Sequence, residues 1–255
     1  MANSLTITRR NKLAQILVSE GSVKVGKLAE LFGVSTETIR KDLLYLESEG
    51  IARKSHGGAI AASEFLELER PFVTKSLENI EVKTKIAQAA INLIPENGVV
   101  ILDAGSTVFS IAKLLSLKKE ITVITNSIVV TQILSSTDTI VYSIGGRVRG
   151  RSMAFVGLWG IEALNSVNVD IAFIGTVGFS HCSGPCTASY DDAQIKKAMI
   201  RSAKIKVVVG DSRKFRSTGL FQFCDWKEID YFITDSEAPK DEIEQMEKIT
   251  KIIIV

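Results

Sequence analysis

The sequence predicts an α/β protein in two parts, a small N-terminal module with a basic hairpin and a larger, mostly parallel sheet covered by helices on both faces. Three observations favour this fold class. Before residue 50, apolar residues recur at helical spacing. From residue 80 onward, short β-branched runs alternate with helical stretches. The chain has 255 residues, which is enough for two domains rather than one.

The N-terminal module is clearest in residues 25–59, VGKLAELFGVSTETIRKDLLYLESEGIARKSHGGA. This stretch predicts two short helices across a tight turn, then a longer third helix and a hairpin. The first helix has an apolar stripe formed by Leu28, Ala29, Leu31 and Phe32. Ser35 can cap the next helix, whose buried face is formed by Ile39, Leu43 and Leu46.

The outer face of that second helix is charged. At about 100° per residue it carries Glu37, Lys41 and, on its flank, Arg40. This pattern predicts a helix-turn-helix that presents its second helix to a DNA major groove, with residues 51–60 as the two strands of a wing. Thr36 and Glu37 are expected nearest the base edges. The predicted DNA contacts are Ser35, Thr36, Glu37, Thr38, Arg40, Lys41, Arg53, Lys54 and His56.

Charge is unevenly distributed along the chain, although the net charge is only +2. Residues 1–62 contain nine Lys/Arg and six Asp/Glu, a net of +3, so the remainder carries a net of −1. The positive excess coincides with the helix-turn-helix, where contacts to phosphates need it. The alternative interpretation is a small packing module with a solvated basic surface.

A predicted linker, residues 61–78, separates a domain of residues 1–60 from one of residues 79–255, since the linker lacks periodicity and contains Pro71. In the second domain, strands are predicted at 99–102, 121–124, 139–144, 171–174, 205–209, 231–233 and 251–255. Helices are predicted at 81–94, 107–116, 127–135, 190–203 and 240–248.

Small and polar residues follow five of these strands. Carboxyl ends of parallel strands meet at one sheet edge, where ligands bind and where glycines, hydroxyls and helix N-termini suit a phosphate. Lys214 adds a positive charge, and Asp103 and Asp211 can accept from sugar hydroxyls or hold Lys214. Each loop taken singly is also typical of an ordinary turn. The predicted effector-binding residues are Asp103, Gly105, Ser106, Thr107, Thr125, Asn126, Gly145, Gly146, Gly175, Gly178, Asp211 and Lys214.

Residues 10–59 closely resemble the winged helix-turn-helix of the DeoR family of bacterial transcriptional regulators. The matching positions include 28–29, 34–35, 38–43, 46–47, 50, 53 and 56–59. From about residue 83 to the C-terminus, the chain resembles the effector domain of the same family, which is similar in fold to ribose-5-phosphate isomerase and glucosamine-6-phosphate deaminase. Those matches include 103, 105–107, 125–126, 145–146, 157, 170–175, 178, 184, 187, 196–199 and 211–214.

The chain departs from the family pattern in three places. Lys41 stands where the family often has Arg, which keeps the charge but loses the bidentate fork. Pro185 and Cys186 replace an apolar residue followed by Thr, and Asp192 replaces Glu. The last two differences concern the part of the pocket that selects the ligand.

The resemblance implies a sequence-specific regulator of a carbohydrate catabolic operon, a repressor that a phosphorylated sugar intermediate releases from double-stranded operator DNA. Paired DNA-binding modules require a homo-oligomer, a dimer or a tetramer. We expect the second domain to hold it together, and either of the apolar stretches 221–223 and 153–156 could pack across a symmetry axis. The alternative for each stretch is that it packs inside its own subunit. The competing interpretation is a sugar-phosphate isomerase or deaminase with a DNA-binding appendage. It lacks a convincing acid–base pair, so we expect no enzyme and no catalytic residues.

Cysteine content and hydropathy exclude further classes of protein. Three cysteines, Cys182, Cys186 and Cys224, are too few for a secreted disulfide framework and have no usual zinc-ligand spacing, so we expect neither a metal nor a cofactor. No apolar run approaches the ~18 residues that cross a bilayer, and no signal core follows the first basic residues. These features predict a cytoplasmic protein without a membrane partner. They do not identify the sugar phosphate or the operator.

Overall fold

The computed structural model describes residues 2–48, 51–61, 71–117 and 120–255. The chain divides into two compact units, residues 1–70 with 188–190, and residues 71–187 with 191–255. Within the described ranges, no helix combines the length and the apolar character that a membrane span requires.

The first unit is a three-helix cluster with a small antiparallel sheet. Its strands pair in the order β1-β3-β2. The helices are α1 (Ala2–Glu20), α2 (Val25–Phe32) and α3 (Thr36–Ser48), and the strands are β1 (Ser22–Lys24), β2 (Ala52–Ser55) and β3 (Gly58–Ala61).

Two details of the prediction for this unit are wrong. Residues 25–59 contain two helices rather than three, because the remaining helix of the cluster is α1, which precedes them. Leu31 is exposed rather than part of the buried stripe, whereas Leu28 and Ala29 are buried as predicted. The face of α3 that contains Ile39, Leu43 and Leu46 is also buried as predicted. β1 was not foreseen, because three residues are too short for a strand pattern.

The second unit is built on a seven-stranded sheet in the order β14-β13-β11-β9-β4-β5-β6. Every neighbouring pair in it is parallel, which confirms the predicted fold class. All seven predicted strands are present, with ends that differ by at most a few residues. They are β4 (Val99–Leu102), β5 (Thr122–Thr125), β6 (Ile140–Ser143), β9 (Val169–Gly175), β11 (Ala203–Val209), β13 (Tyr231–Thr234) and β14 (Lys251–Ile254).

Helices cover both faces of this sheet. One buried core packs Ile86 and Ile111 against Phe173, and the other packs Met199 and Ile243 against Phe232. The helices are α4 (Phe72–Ser76), α5 (Ile80–Ile91), α6 (Ser106–Leu115), α7 (Ile128–Leu134), α8 (Leu158–Asn165), α9 (Tyr190–Ser202) and α10 (Lys240–Met246).

Part of the predicted linker is structured. Residues 62–70 lie outside the described residues, but residues 72–76 form α4 in the second unit. The ring of Phe72 is buried with its centroid 5.5 Å from that of Phe109, and the N–H of Phe72 donates to the carbonyl oxygen of Arg151 at 2.8 Å. A five-residue helix gives too short a repeat for recognition from periodicity.

Short elements complete the second unit. Residues Ser212–Arg216 and Trp226–Glu228 form 3₁₀ turns. Neither stretch 153–156 nor stretch 221–223 is fully exposed: Ala154, Val156 and Phe223 are buried within the unit, and Met153, Phe155 and Phe221 are half-buried. Four short strands form two antiparallel pairs, the hairpin of β7 (Arg147–Arg149) with β8 (Ala154–Val156) and the pair of β10 (Cys186–Thr187) with β12 (Phe221–Gln222), which are far apart in the chain.

Candidate functional site

The first candidate surface is the outer face of α3. Ser35 caps this helix, because its Oγ accepts from the N–H of Thr38 at 3.1 Å and lies 2.9 Å from the Thr38 hydroxyl. Both hydroxyls therefore take part in capping the start of the helix. Ile39 anchors the opposite face in the core.

Four predicted contact residues, Thr36, Glu37, Arg40 and Lys41, are exposed on α3. Arg40 Nη1 lies 3.4 Å from Glu37 Oε2 in a pair with both side chains more than half exposed. Exposed pairs of this kind contribute little free energy, so Arg40 can exchange Glu37 for a DNA phosphate or base.

The hairpin β2–β3 presents the remaining predicted contacts. Arg53, Lys54 and His56 are all exposed on it. The N–H of Lys54 donates to Glu47 Oε1 at 2.9 Å, which ties the hairpin to the end of α3. Helix and wing thus form one exposed, mostly basic surface within the first unit.

Asp42 is a structural residue of this surface that the sequence analysis did not select. It is buried on α3 and accepts from Arg9 Nε at 2.6 Å and from Arg10 Nε at 2.8 Å, both on α1. The Arg10 guanidinium also lies 4.1 Å from the ring centroid of Tyr45. A carboxylate shared by two arginines fixes the orientation of α3 on α1.

The second candidate site lies at the carboxyl edge of the seven-stranded sheet. Asp103 follows β4, is buried, and accepts from the N–H of Gly175 at 2.9 Å through Oδ2. The same oxygen pairs with the ammonium of Lys196 on α9, which also donates to the carbonyl oxygen of Gly175 at 2.8 Å. Asp103 and Gly175, both predicted site residues, are therefore joined by a lysine that was not predicted.

Further charged side chains lie around the pair of Asp103 and Lys196. Arg149 on β7 donates from Nη1 to Asp192 Oδ2 on α9 at 2.7 Å. Lys75 on α4 lies near enough to Lys214, Asp192, Lys196 and Asp103 for their charges to shift its pKa. We call the set Lys75, Asp103, Arg149, Asp192, Lys196 and Lys214 the ion cluster; its four cations outnumber its two carboxylates.

Burial shifts several pKa values in and beside the ion cluster. Desolvation, assisted by the charge of Lys214, lowers the pKa of Lys75 to about 8. Desolvation also lowers the pKa of buried Lys83 to about 8; its ammonium donates to the carbonyl oxygens of Lys75 and Glu78. Desolvation raises the pKa of Asp192, against the opposing effect of Arg149.

Asp211 pairs with an arginine in addition to lying near the charge of Lys214. It is buried, caps the 3₁₀ turn that follows β11, and pairs with Arg213, whose Nη2 lies 2.8 Å from Asp211 Oδ2. Against desolvation, which raises it, the hydrogen bond from Arg213 and the charge of Lys214 lower the pKa of Asp211.

Ser106 and Thr107 open α6 directly after Gly105, its N-cap. Thr107 is buried and Ser106 is half-buried. The first-turn N–H groups of a helix have no partner within it and carry a partial positive charge, which suits an anion.

The other predicted effector residues mainly support the fold. Buried Thr125 donates to the carbonyl oxygen of Leu102 at 2.6 Å, and Asn126 Nδ2 donates to that of Phe155 at 3.1 Å. Asn126 Oδ1 is buried without a described hydrogen-bond partner. Gly145 has open space where a Cβ would be. A Cβ on Gly146 would lie 2.6 Å from a carbonyl oxygen of β8, and one on Gly178 only 2.1 Å from that of Ser217.

The cysteines are free thiols. Cys182 is half-buried, Cys186 and Cys224 are buried, and burial raises the pKa of Cys186 to about 12, which leaves that thiol protonated. In the described part of the chain, no group of three or more His, Cys, Asp or Glu side chains is placed to hold a metal ion.

Lys75, Arg149 and Lys196 were missed for different reasons. Lys75 lies in the stretch predicted as linker, and Arg149 in an unforeseen hairpin. Lys196 could have been found, because it occupies the apolar face of α9 between Ala193 and Met199, where an unpaired lysine is costly.

Comparisons with known proteins agree for both units. A DeoR-like helix-turn-helix domain matches residues 9–65, and the DeoR C terminal sensor domain matches residues 78–236. The candidate aga operon transcriptional repressor of Escherichia coli O157:H7 is 34% identical over 98% of this chain and 94% of its own length. The transcriptional regulator GlpR of Haloferax volcanii is 32% identical over 95% of each chain, and the repressor GlcR of Bacillus subtilis is 34% identical over 88% of this chain and 86% of its own.

Solved structures give a more distant similarity. Ribose-5-phosphate isomerase A of Neisseria gonorrhoeae superposes with a TM-score of 0.40 at 18% identity, over 52% of each chain. The isomerase of Methanocaldococcus jannaschii superposes with the same score at 19% identity, over 54% of this chain and 55% of its own. Similarity at this level carries no argument about activity. The two domain matches and the full-length relatives do identify the chain: it belongs to the DeoR family of transcriptional regulators.

Proposed function

We propose that this regulator represses an operon for sugar breakdown and that a phosphorylated sugar bound at the ion cluster weakens its hold on operator DNA. The excess of cations around a buried carboxylate at the carboxyl edge of the sheet carries this proposal. A phosphorylated intermediate is a suitable signal, because it accumulates only when uptake and kinase steps are running. Relatives named GlcR and lactose phosphotransferase system repressor support a sugar as the effector class.

The proposed DNA surface comprises α3 and the wing. Thr36, Glu37, Arg40 and Lys41 are exposed on a helix of the length and cap that major-groove readers use. The cations of the wing contact phosphates. Two such modules on two half-sites require a homo-oligomer, a dimer or a tetramer, in the compartment that holds the DNA.

The proposed effector site uses the ion cluster together with the start of α6. The phosphate meets the N–H groups at Ser106 and Thr107 and the ammonium groups of Lys75 and Lys214. The described hydrogen bonds to Asp103 all use Oδ2, so Oδ1 can accept from a sugar hydroxyl.

Titration calorimetry with sugar phosphates and their unphosphorylated parents tests this site. We expect measurable binding for at least one phosphate and none for its parent sugar, because charge-assisted hydrogen bonds to the phosphate supply most of the affinity. Lys214→Ala should lose both that binding and the effector response of the operator complex, while it keeps operator affinity in the absence of effector.

Lys204→Ala is the matched control. Lys204 lies at the amino end of β11, paired with Asp170 at 3.0 Å, whereas Lys214 follows the carboxyl end of the same strand. The control should bind effector like the parent protein. If unphosphorylated sugars bind as tightly as the phosphates, or if both variants lose binding equally, the proposed anion site is wrong.

A further inference from the structure

One edge of the seven-stranded sheet has an exposed apolar strip. Strand β6 pairs only with β5 in the described chain, so its other edge is open. Ile140 and Tyr142 point to the same face of β6 and are 59% and 61% exposed. Residues 139–143, TIVYS, contain no charge.

Helix α8 packs at the end of this strip. Two residues beyond Tyr142 on the same face, Ile144 is buried, because α8 lies over it: a Cβ on Gly160 would be 3.0 Å from Ile144 Cγ2. Beside that contact, Leu158 and Trp159 at the start of α8 are 65% and 76% exposed. The edge strip is defined here as Ile140, Tyr142, Leu158 and Trp159.

The opposite edge of the same sheet is protected. Strand β14 carries Lys251 at its exposed start, and its ammonium lies 5.3 Å from the ring centroid of Tyr231. A lysine on an edge strand discourages pairing with another chain. Two of its isoleucines, Ile252 and Ile253, pack against the cores on either face. Only the β6 edge combines an open strand with several exposed large apolar side chains.

The area of the edge strip is more than half of what one partner contributes to a stable protein interface. Large aromatic side chains bury about 150–250 Å² each, so Tyr142 and Trp159 at their exposed fractions, with the two aliphatic residues, offer roughly 500 Å². Monomers rarely leave contiguous apolar patches of more than a few hundred Å² open, and a stable interface takes about 800 Å² per partner. The strip supplies the apolar centre of such an interface.

We infer that the edge strip is covered by the edge strip of a second copy of this chain. An uncharged strip can meet itself across a two-fold axis without repulsion between like charges, which is the requirement for an isologous contact. The choice of a second copy rests in part on the proposed function, since two half-sites need two modules. In the assembly, β6 strands run antiparallel across the axis and Trp159 of each copy flanks the junction.

Sedimentation velocity on the full chain, without DNA or sugar, tests the inference. The parent protein should be a dimer or larger at micromolar concentration. Ile140→Asp places two like charges across the axis and should lower the oligomeric state, with the dissociation constant raised about hundredfold. Ile254→Asp, on the protected edge at a residue 51% exposed, is the matched control and should leave the oligomeric state unchanged.

A second variant distinguishes loss of the interface from misfolding of the Ile140→Asp protein. Trp159→Ser removes the most exposed side chain of the strip without adding charge, and it should weaken the assembly in the same direction as Ile140→Asp. A monomeric parent protein, equal effects of the two aspartates, or no effect of either strip variant would overturn the inference. A monomeric parent protein would also contradict the homo-oligomer that the proposed function requires, whereas either result with the variants would overturn the interface alone. Because the assay contains no effector or operator, failure of effector binding would leave the interface standing.

Discussion

The two charged sites of this protein differ in whether their charges are exposed or buried. On the first unit, Arg40, Lys41 and the cations of the wing are exposed. In the second unit, the buried Asp103 and Lys196 neutralise each other, with Arg149 and Asp192 beside them. Exposed charges attract a polyanion over a distance and tolerate change, whereas buried charges are pre-positioned at a desolvation cost and depend on their partners. A substitution should therefore have its largest effect where the charge is buried.

Removing the carboxylate of Asp103 is the most severe test of this difference. Asp103→Ala leaves the ammonium of Lys196 buried without its counter-ion, and we expect the second unit to lose about 3–5 kcal/mol of its free energy of unfolding. Urea unfolding followed by circular dichroism measures the loss. Lys204→Ala, which breaks an exposed ion pair with Asp170, should cost less than about 1 kcal/mol. Equal losses would show that burial does not set the contribution of these pairs.

Asp42 tests whether a buried carboxylate also matters in the unit with exposed cations. Asp42→Ala should cost about 2 kcal/mol in the first unit, because Arg9 and Arg10 are partly exposed and regain water when the carboxylate is lost. Thermal unfolding of the full chain reports the change. Operator affinity should fall as well, since α3 loses its attachment to α1. Glu37→Ala, on the exposed side of α3, should leave stability within about 0.5 kcal/mol.

The lowered pKa of Lys75 predicts that phosphate binding in the second unit depends on pH. Binding of a phosphate should weaken about tenfold between pH 7 and 9, because Lys75, with a pKa of about 8, loses its charge in that interval. Calorimetry of the parent protein and Lys75→Arg measures it. The arginine stays charged, so its affinity should fall less. A parallel decline in both proteins would assign the titration to another group.

The lowered pKa of Lys75 also determines whether the free energy of unfolding rises or falls with pH. Between pH 8 and 10.5, the folded chain has released the Lys75 proton that the unfolded chain still binds. The free energy of unfolding from this residue therefore rises with pH in that window.

The smallest effect is expected for single cations of the wing. Arg53→Ala should weaken binding to all DNA sequences alike and reduce the slope of log K against log salt by about 1, as a phosphate contact requires. Lys41→Ala should instead weaken operator DNA by about 1–3 kcal/mol relative to unrelated DNA. Gel-shift titrations at two salt concentrations separate these outcomes. Loss of discrimination in Arg53→Ala would reverse the two assignments.

The sequence predicts the sheet far better than it predicts the ion cluster. Runs such as 99–102 are apolar throughout because both faces of the strand are covered, and this pattern is visible without neighbours. Lys75 and Arg149 act through elements of five and three residues, which show no repeat. Their role depends on which loops and helices meet at the sheet edge, and that proximity is a property of tertiary structure. Lys196 was visible in principle, as a cation on an apolar helix face.

The order of the strands has a consequence for synthesis of the chain. The small sheet of the first unit is complete at β3, which ends at Ala61, so the helix-turn-helix and its wing can fold once that residue has left the ribosome. The large sheet joins residues far apart, as where Asp170 accepts from the N–H of Val99, 71 positions earlier, and it lacks its last strand until Ile254 is made. On every nascent chain, the DNA-binding module is therefore complete before the sensor domain. During that interval it can bind DNA only weakly, as a single module.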